Sequence, residues 1–188
     1  MTPELLPKRI ARVLHPTDKV PDPGREFTPA AVLIPLLVDN DQWSLLYTRR
    51  TDLVDSHRGQ VAFPGGVVDK EDDGPVEAAL RETQEEVGVL PDDVKVLGLM
   101  DPMPTITEYC VTPVVGLIPW PYELTINPDE VATTFVVPLT WLQNSNNYEV
   151  RFRESGTHVD FFKPYLDEVI WGVTARITLN FLKILKNT

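Results

Sequence analysis

A single cysteine, Cys110, stands among 188 residues, so no internal disulfide can form. That fits a reducing compartment. Cys110 sits in an apolar run, where a free thiol packs as a small hydrophobe. Long hydrophobic runs are missing too: none approaches the roughly eighteen residues that would span a bilayer as a helix. The first residues, Met1 to Arg9, lack the charged-then-apolar order of a secretory signal, and the final Lys186-Asn187-Thr188 is not a peroxisomal address. A cytoplasmic location is expected. Basic residues are scarce, with 17 Lys and Arg against 28 Asp and Glu, a formal charge of −11. Nucleic acid and anionic membranes are bound mainly through clustered Lys and Arg, so neither is an expected partner. A phosphorylated small molecule stays compatible with this charge when a metal screens it.

What is present has the balance of an ordinary globular protein, 43% apolar and 24% charged, and the length of one domain over residues 1–188. Thr2 caps an expected short helix with Leu6, Ile10, Val13 and Leu14 on its apolar side, ending near His15-Pro16. Pro16 to Pro29 then reads as an extended surface connector. Ala30 to Val38 is an apolar run interrupted by Pro35, which predicts an edge or broken strand; Asp39-Asn40-Asp41 is a turn and Gln42 to Arg49 its antiparallel return. Short strands are expected at Val61 to Phe63, Val94 to Met100, Tyr109 to Ile118 and Thr133 to Val137. A hairpin is expected from Tyr148 to Lys163 around Ser155-Gly156-Thr157. The closing helix, about Gly172 to Leu185, would bury Val173, Ile177, Phe181 and Ile184. Mixed strands around a central helix predict an α/β sandwich.

That central helix is the most informative segment. Gly74 before Pro75 marks its start, Glu77 lies near its positive end and Gly88 stops it. Val76, Leu80, Thr83 and Val87 form a packing stripe, while Glu82, Glu85 and Glu86 fall at i, i+3 and i+4 on another side. Like charges stacked this way repel, and a divalent cation among their oxygens is the simplest physical reason to gather them. The bland alternative is a solvated acidic face.

Arg81-Glu82-Thr83-Gln84-Glu85-Glu86-Val87-Gly88-Val89, preceded by Gly66, resembles the Nudix box. That box runs Gly, five residues, Glu, seven residues, then Arg-Glu-aliphatic-x-Glu-Glu-x-Gly-aliphatic. Counting back from Arg81 places Asp73 at the first acidic position, and the gap from Gly66 is one residue longer than the pattern. Upstream, Leu46-Tyr47-Thr48-Arg49-Arg50-Thr51 and Gly59-Gln60-Val61-Ala62-Phe63-Pro64-Gly65-Gly66 resemble the signature of the Nudix subgroup that cleaves coenzyme A. Arg50, Gly59, Phe63, Pro64, Gly65 and Gly66 match it in register, whereas Asp55 stands where the signature has arginine. Val169 to Ala175 is also similar, so the resemblance covers residues 30–176, with 1–29 as the N-terminal helix and connector.

The resemblance implies a Nudix-type α/β/α sandwich with a mixed central sheet, and hydrolysis of a diphosphate linkage with Mg2+ or Mn2+ as cofactor. It implies Glu82, Glu85 and Glu86 as metal ligands with a carbonyl of Gly65 or Gly66. Arg81 would orient carboxylates, Glu85 or Glu130 would act in proton transfer, and Arg50, Phe63 and Gly65 would meet substrate. The leading substrate is coenzyme A or its thioesters, giving 3',5'-ADP and 4'-phosphopantetheine. ADP-ribose, dinucleoside polyphosphates and oxidised nucleotides stay open, as does a noncatalytic ligand-binding Nudix module. Related enzymes are often homodimers. His57 reads as structural. Arg49 and Arg50 differ in parity and should face opposite sides of their strand. Trp171 and Gly172 read as core packing and close backbone approach; whether Trp120 or Tyr122 stacks a base is undecided.

Overall fold

A computed structural model of the chain describes residues 5–19, 27–51, 59–152 and 156–186. The expectations for Thr2, Asp55 and His57 lie outside these residues. Alternation along the first long strand, β1 (Thr28–Asp39), sets the architecture. Ala31, Leu33 and Leu37 pack into one core, while Ala30, Ile34 and Leu36 pack into another. Successive strand residues point to opposite faces, so a strand apolar on both parities must be covered on both sides. The acid helix, α2 (Pro75–Val87), closes the first core through Ala78, Ala79 and Val87. On the other face lie α1 (Leu5–Ala11) and the final helix, α4 (Gly172–Lys186), which contributes Ala175, Ile177, Phe181 and Leu182. The short α3 (Leu139–Leu142) adds its two leucines there.

The sheet is mixed. β1 pairs antiparallel with β2 (Gln42–Arg50) through a two-residue turn at Asn40 and Asp41, both at positive φ, and parallel with β7 (Tyr109–Leu117). β3 (Val61–Ala62) and β8 (Val131–Pro138) pair with β2, and β4 (Gly65–Val67) pairs with β1. β5 (Lys95–Leu99) and β6 (Met103–Pro104) pair with β7. β9 (Tyr148–Phe152) and β10 (His158–Phe162) form a separate hairpin.

Pro35 lies in this central strand and not at an edge, so of the two sequence expectations the edge fails and the interrupted ladder is what the sheet has. Leu33 donates its N–H to Pro64, on the β4 side, and the position two residues on faces the same way. Pairing with β4 ends at Val32 and pairing with β2 begins at Leu36, so the missing Pro35 N–H falls in the gap between partners. Two helical stripes also differ from expectation. Val13 and Val173 are exposed, and Thr178 and Leu182 take up the buried face of α4. Tyr47, fully buried, donates or accepts a 3.0 Å hydrogen bond with Thr178, which explains a hydroxyl pair inside this core. Cys110 is buried, as expected of a packed thiol. Among the described residues no helix is long and apolar enough to cross a membrane.

Candidate active site

α2 sorts its three glutamates by burial. The Glu86 side chain is 3% exposed, Glu82 17% and Glu85 54%, because the helix leans on β1 and β4 along its Ala78, Ala79, Thr83 and Glu86 side. Arg81 stands among them. Its Nη1 is 2.9 Å from Glu82 Oε1 and 3.5 Å from Glu85, while Nε and Nη2 donate to the two Asp72 oxygens at 3.1 Å. This bidentate fork holds Asp72 well below the ordinary carboxylate range, and the guanidinium in turn is driven further towards its charged form, first by Asp72. The acid engaging Arg81 is thus Asp72, separated from Gly66 by the five residues of the box pattern. Asp73, reached by counting back from Arg81, lies next to it in sequence and makes no hydrogen bond or ion pair with Arg81 among the described residues. The extra residue of the box therefore lies between Asp72 and Arg81, where counting from one end cannot place it.

β4 brings the backbone up to the acids. A Cβ at Gly66 would lie 2.5 Å from the Glu82 carboxyl carbon, so a side chain there would push that carboxylate out of its place. At Gly65, φ is +150° and a Cβ would strike Ala31 O. Arg50 ends β2 at a bulge, where Arg49 pairs with Thr133 but Arg50 with Val131. A bulge re-aims its side chain. Arg50 Nη1 lies 3.6 Å from Glu86 Oε1, whereas Arg49 reaches Glu168 at 3.7 Å, so the two face different partners.

Electrostatically, Glu86 is the strained member. Desolvation pushes its carboxyl up to about 8; Arg50 opposes this, the charges of Glu130 and Glu82 add to it, and the Gly65 N–H again opposes. Among the described residues its Oε2 and the Arg50 Nε are buried without hydrogen-bond partners. Glu82 is raised as well, by burial first, with Arg81 opposing. Glu130 joins them through the loop after β7. Thr125 donates its N–H to Val87 O and Asn127 to Glu86 O, the last carbonyls of α2, and Thr51 donates to Glu130 O. Gly88, at φ +74°, lets Thr125 approach. Asn127 Nδ2 then donates to Glu130 Oε1 at 3.1 Å. The sequence signal for this is the Asn-Pro-Asp-Glu turn, legible as a loop but silent about what it docks on.

The remaining candidates are placed as follows. Phe63 is buried, its ring stacked 4.7 Å from Tyr47. Trp171 stacks on Phe161 at 5.8 Å. A Cβ at Gly172 would meet nothing within 4 Å, so its positive φ and not close approach explains that glycine. Trp120 donates to Asp39 and Tyr122 to Asp93, contacts that do not involve the glutamates. A cavity of ≈ 760 Å³ is bordered by Arg50, Phe63, Gly65 and Gly66 and extends along Met103, Tyr109, Trp171 and Arg176. That volume is ordinary for a small-molecule site, roughly 300–1,000 Å³.

Among the described residues, no three carboxylate, imidazole or thiol groups converge as a ready-made ligand set, since Arg81 sits between Glu82 and Glu85. The donor chemistry nonetheless fits a hard divalent cation. Glu86 carries a buried oxygen without a partner among the described residues, and Glu82 and Glu130 add negative charge beside it. Positive charge placed there would relieve the cost of that cluster.

The NUDIX domain family matches residues 27–155. An "Uncharacterized Nudix hydrolase NudL" from Escherichia coli O7:K1 (strain IAI39 / ExPEC) is 41% identical over 150 residues, covering 79% of this chain and 78% of the relative. The protein of that name from Photorhabdus laumondii subsp. laumondii is 43% identical over 150 residues, covering 79% and 80%. Among solved structures, a MutT/nudix family protein from Enterococcus faecalis superposes with TM-score 0.59 at 15% identity, covering 100% of this chain and 76% of that one. An Ap4A hydrolase from C. elegans gives 0.52 at 19% identity, covering 59% and 80%. The structures attest the fold alone; the family match and the relatives establish membership. The chain belongs to the Nudix hydrolase family and acts on a pyrophosphate bond.

Proposed function

We propose that this Nudix hydrolase cleaves the diphosphate of coenzyme A or its thioesters, releasing 3',5'-ADP and 4'-phosphopantetheine. The observation that carries this reading is the cavity. It joins Arg50 and the Gly65-Gly66 backbone to a wall of Val32, Met103, Ile106 and Tyr109 suited to a long, uncharged arm. The match of Arg50, Gly59, Phe63, Pro64, Gly65 and Gly66 to the coenzyme A signature supports the same choice.

In this reading Arg50 holds the diphosphate, and the Gly65 backbone and Phe63 shape the wall beside it. Glu82, Glu85, Glu86 and the Gly66 carbonyl are the oxygens that hold Mg2+ or Mn2+. When bound, the cation supplies positive charge that offsets the diphosphate and favours ionisation of water. Arg81, fixed by Asp72, orients Glu82 and Glu85. Water adds to one phosphorus, the bridging P–O bond breaks towards the other phosphate, and Glu130 takes the proton of the attacking water, with Glu85 at the open end as the alternative acceptor.

Chromatography of the products formed from coenzyme A and acetyl-coenzyme A with Mg2+ or Mn2+ tests the proposal. Both products are expected, and absence of turnover of either substrate would overturn it. Asp55, where the signature has arginine, favours a second reading in which ADP-ribose or a dinucleoside polyphosphate is the substrate. The same assay on those compounds decides between the two.

A further inference from the structure

The cavity has a second polar wall that the acid helix does not account for. Arg176, in the second turn of α4, donates through Nε to Asp160 Oδ2 at 2.9 Å, and its Nη2 lies 3.0 Å from His158 Nε2. Asp160 is buried at 5% exposure and accepts from Tyr148 Oη at 2.8 Å on its other oxygen. Both its oxygens are therefore engaged, and its task is to hold Arg176. A guanidinium only donates, so His158 Nε2 is the acceptor in their contact and the imidazole proton sits on Nδ1, where it is a further donor. Arg176 remains 44% exposed, and its Nη1 makes no hydrogen bond among the described residues.

Thr157, His158, Arg176 and the first turn of α4 at Gly172 to Thr174 border the same cavity as Arg50 and Gly65. A helix start adds partial positive charge and N–H groups without intrahelical partners. Trp171 lines the cavity beside them, an aromatic wall next to a cation. Pinning α4 to the β9–β10 hairpin accounts for Asp160 and Tyr148. It does not account for a guanidinium edge and an imidazole donor facing open space in a chain of net charge −11. Fixed forks of this kind recognise phosphate.

We infer that Arg176 and His158, held by buried Asp160, form a subsite for a second phosphate of the substrate, separate from the diphosphate that is cleaved. The inference rests on the coenzyme A reading. Coenzyme A carries one phosphate outside its diphosphate, on the ribose 3'-oxygen, and its pantetheine arm is uncharged. The subsite therefore takes the 3'-phosphate and makes Arg176 a specificity residue.

The test is the ratio of kcat/KM for coenzyme A to that for 3'-dephospho-coenzyme A, measured on the Mg2+- or Mn2+-loaded enzyme. The wild-type ratio should be about tenfold or more, the size expected of a charge-assisted bidentate contact. Arg176→Gln should bring it close to one, and Arg176→Lys, which keeps the charge without the fork, should retain an intermediate preference. His158 is exposed, so His158→Gln serves as a second variant that does not disturb the Asp160 pair, and it should lower the ratio by roughly threefold. Calorimetry should show tighter binding of 3',5'-ADP than of 5'-AMP, with the difference lost in Arg176→Gln. A wild-type ratio near one, or a ratio that survives both Arg176→Gln and His158→Gln, would overturn the subsite and leave the substrate reading standing. Turnover of neither compound by the wild-type enzyme would overturn both.

Discussion

Glu86 is kept where its own charge is least welcome. In the folded chain its carboxyl is pushed up to about 8 from an ordinary 4.5 by burial, with Arg50 returning only part of the loss. A raised folded value means that the folded state retains a proton which the unfolded chain releases. The stabilising contribution of this group is therefore complete below about pH 4.5 and disappears as pH climbs through about 8. The metal-free protein, held in chelator, should lose melting temperature steadily between those limits. Glu86→Gln keeps the shape without the charge, so its Tm should be flatter with pH and higher than wild type at pH 8; an unaltered slope would place the titrating group elsewhere. If Glu86 acts as proposed, the same variant should lose about two orders of magnitude in kcat, the usual cost of removing one preorganised charge from a reacting centre. Stability and activity moving in opposite directions is the signature of a residue retained for chemistry and not for packing.

Position within an element decides whether such a residue meets its partners. The C-terminus of α2 does two jobs: Gly88 ends the helix at φ +74°, and its bare backbone admits Thr125 so that the loop to Glu130 hydrogen-bonds to Glu86 O and Val87 O. Gly88→Ala imposes a left-handed conformation on a residue with a side chain, about 1–3 kcal/mol, and drives a methyl against Thr125. Thermal melts should register that loss, and kcat should fall beyond what destabilisation alone produces. Ile10→Val, a loss of about 0.5–1.5 kcal/mol in the opposite core, is the control that should lower Tm and leave kcat alone. Equal effects on kcat would mean that the loop does not deliver Glu130. Elements of this kind are readable where their signals are local. Gly74-Pro75 and Gly88 bound α2, the Asp39-Asn40-Asp41 turn fixes the β1–β2 hairpin, and the apolar alternation of β1 is plain. Pro35 leaves an edge and an interrupted ladder both open, because a proline is excluded only where its N–H has a partner to lose, and whether a neighbouring strand changes hands at that position is a property of the assembled sheet. β4 and β6, at three and two residues, are too short to carry a period.

At the scale of the whole molecule, the sheet separates two cores and the acid cluster of the candidate site gathers on the α2 side of β1, with Arg50, Asp72 and Glu130, distant in sequence, brought to it. Glu82, Glu85 and Glu86 are legible as a group because helical spacing is local. Their unequal burial is not, since it depends on how α2 leans on β4, and the Arg176–Asp160 pair is invisible in the sequence because it joins a helix to a hairpin. The assembled cluster makes a global prediction. Carboxylates forced together in a chain of net charge −11 should bind divalent cations in the folded state and far less in the unfolded one. Cation at about a hundredfold its Kd then adds about 2.7 kcal/mol, which for a chain of this size raises Tm by about 5–10 °C. The rise with Mn2+ or Mg2+ should grow from pH 5 to pH 8, because the cation competes with the proton on Glu86, and should largely vanish in Glu82→Gln combined with Glu86→Gln. Sodium chloride at equal ionic strength screens surface charge without entering the cluster, so it should give only a small part of the shift. A rise reproduced by sodium chloride, or one that survives the double substitution, would mean that general charge screening and not an ion held at α2 stabilises the fold.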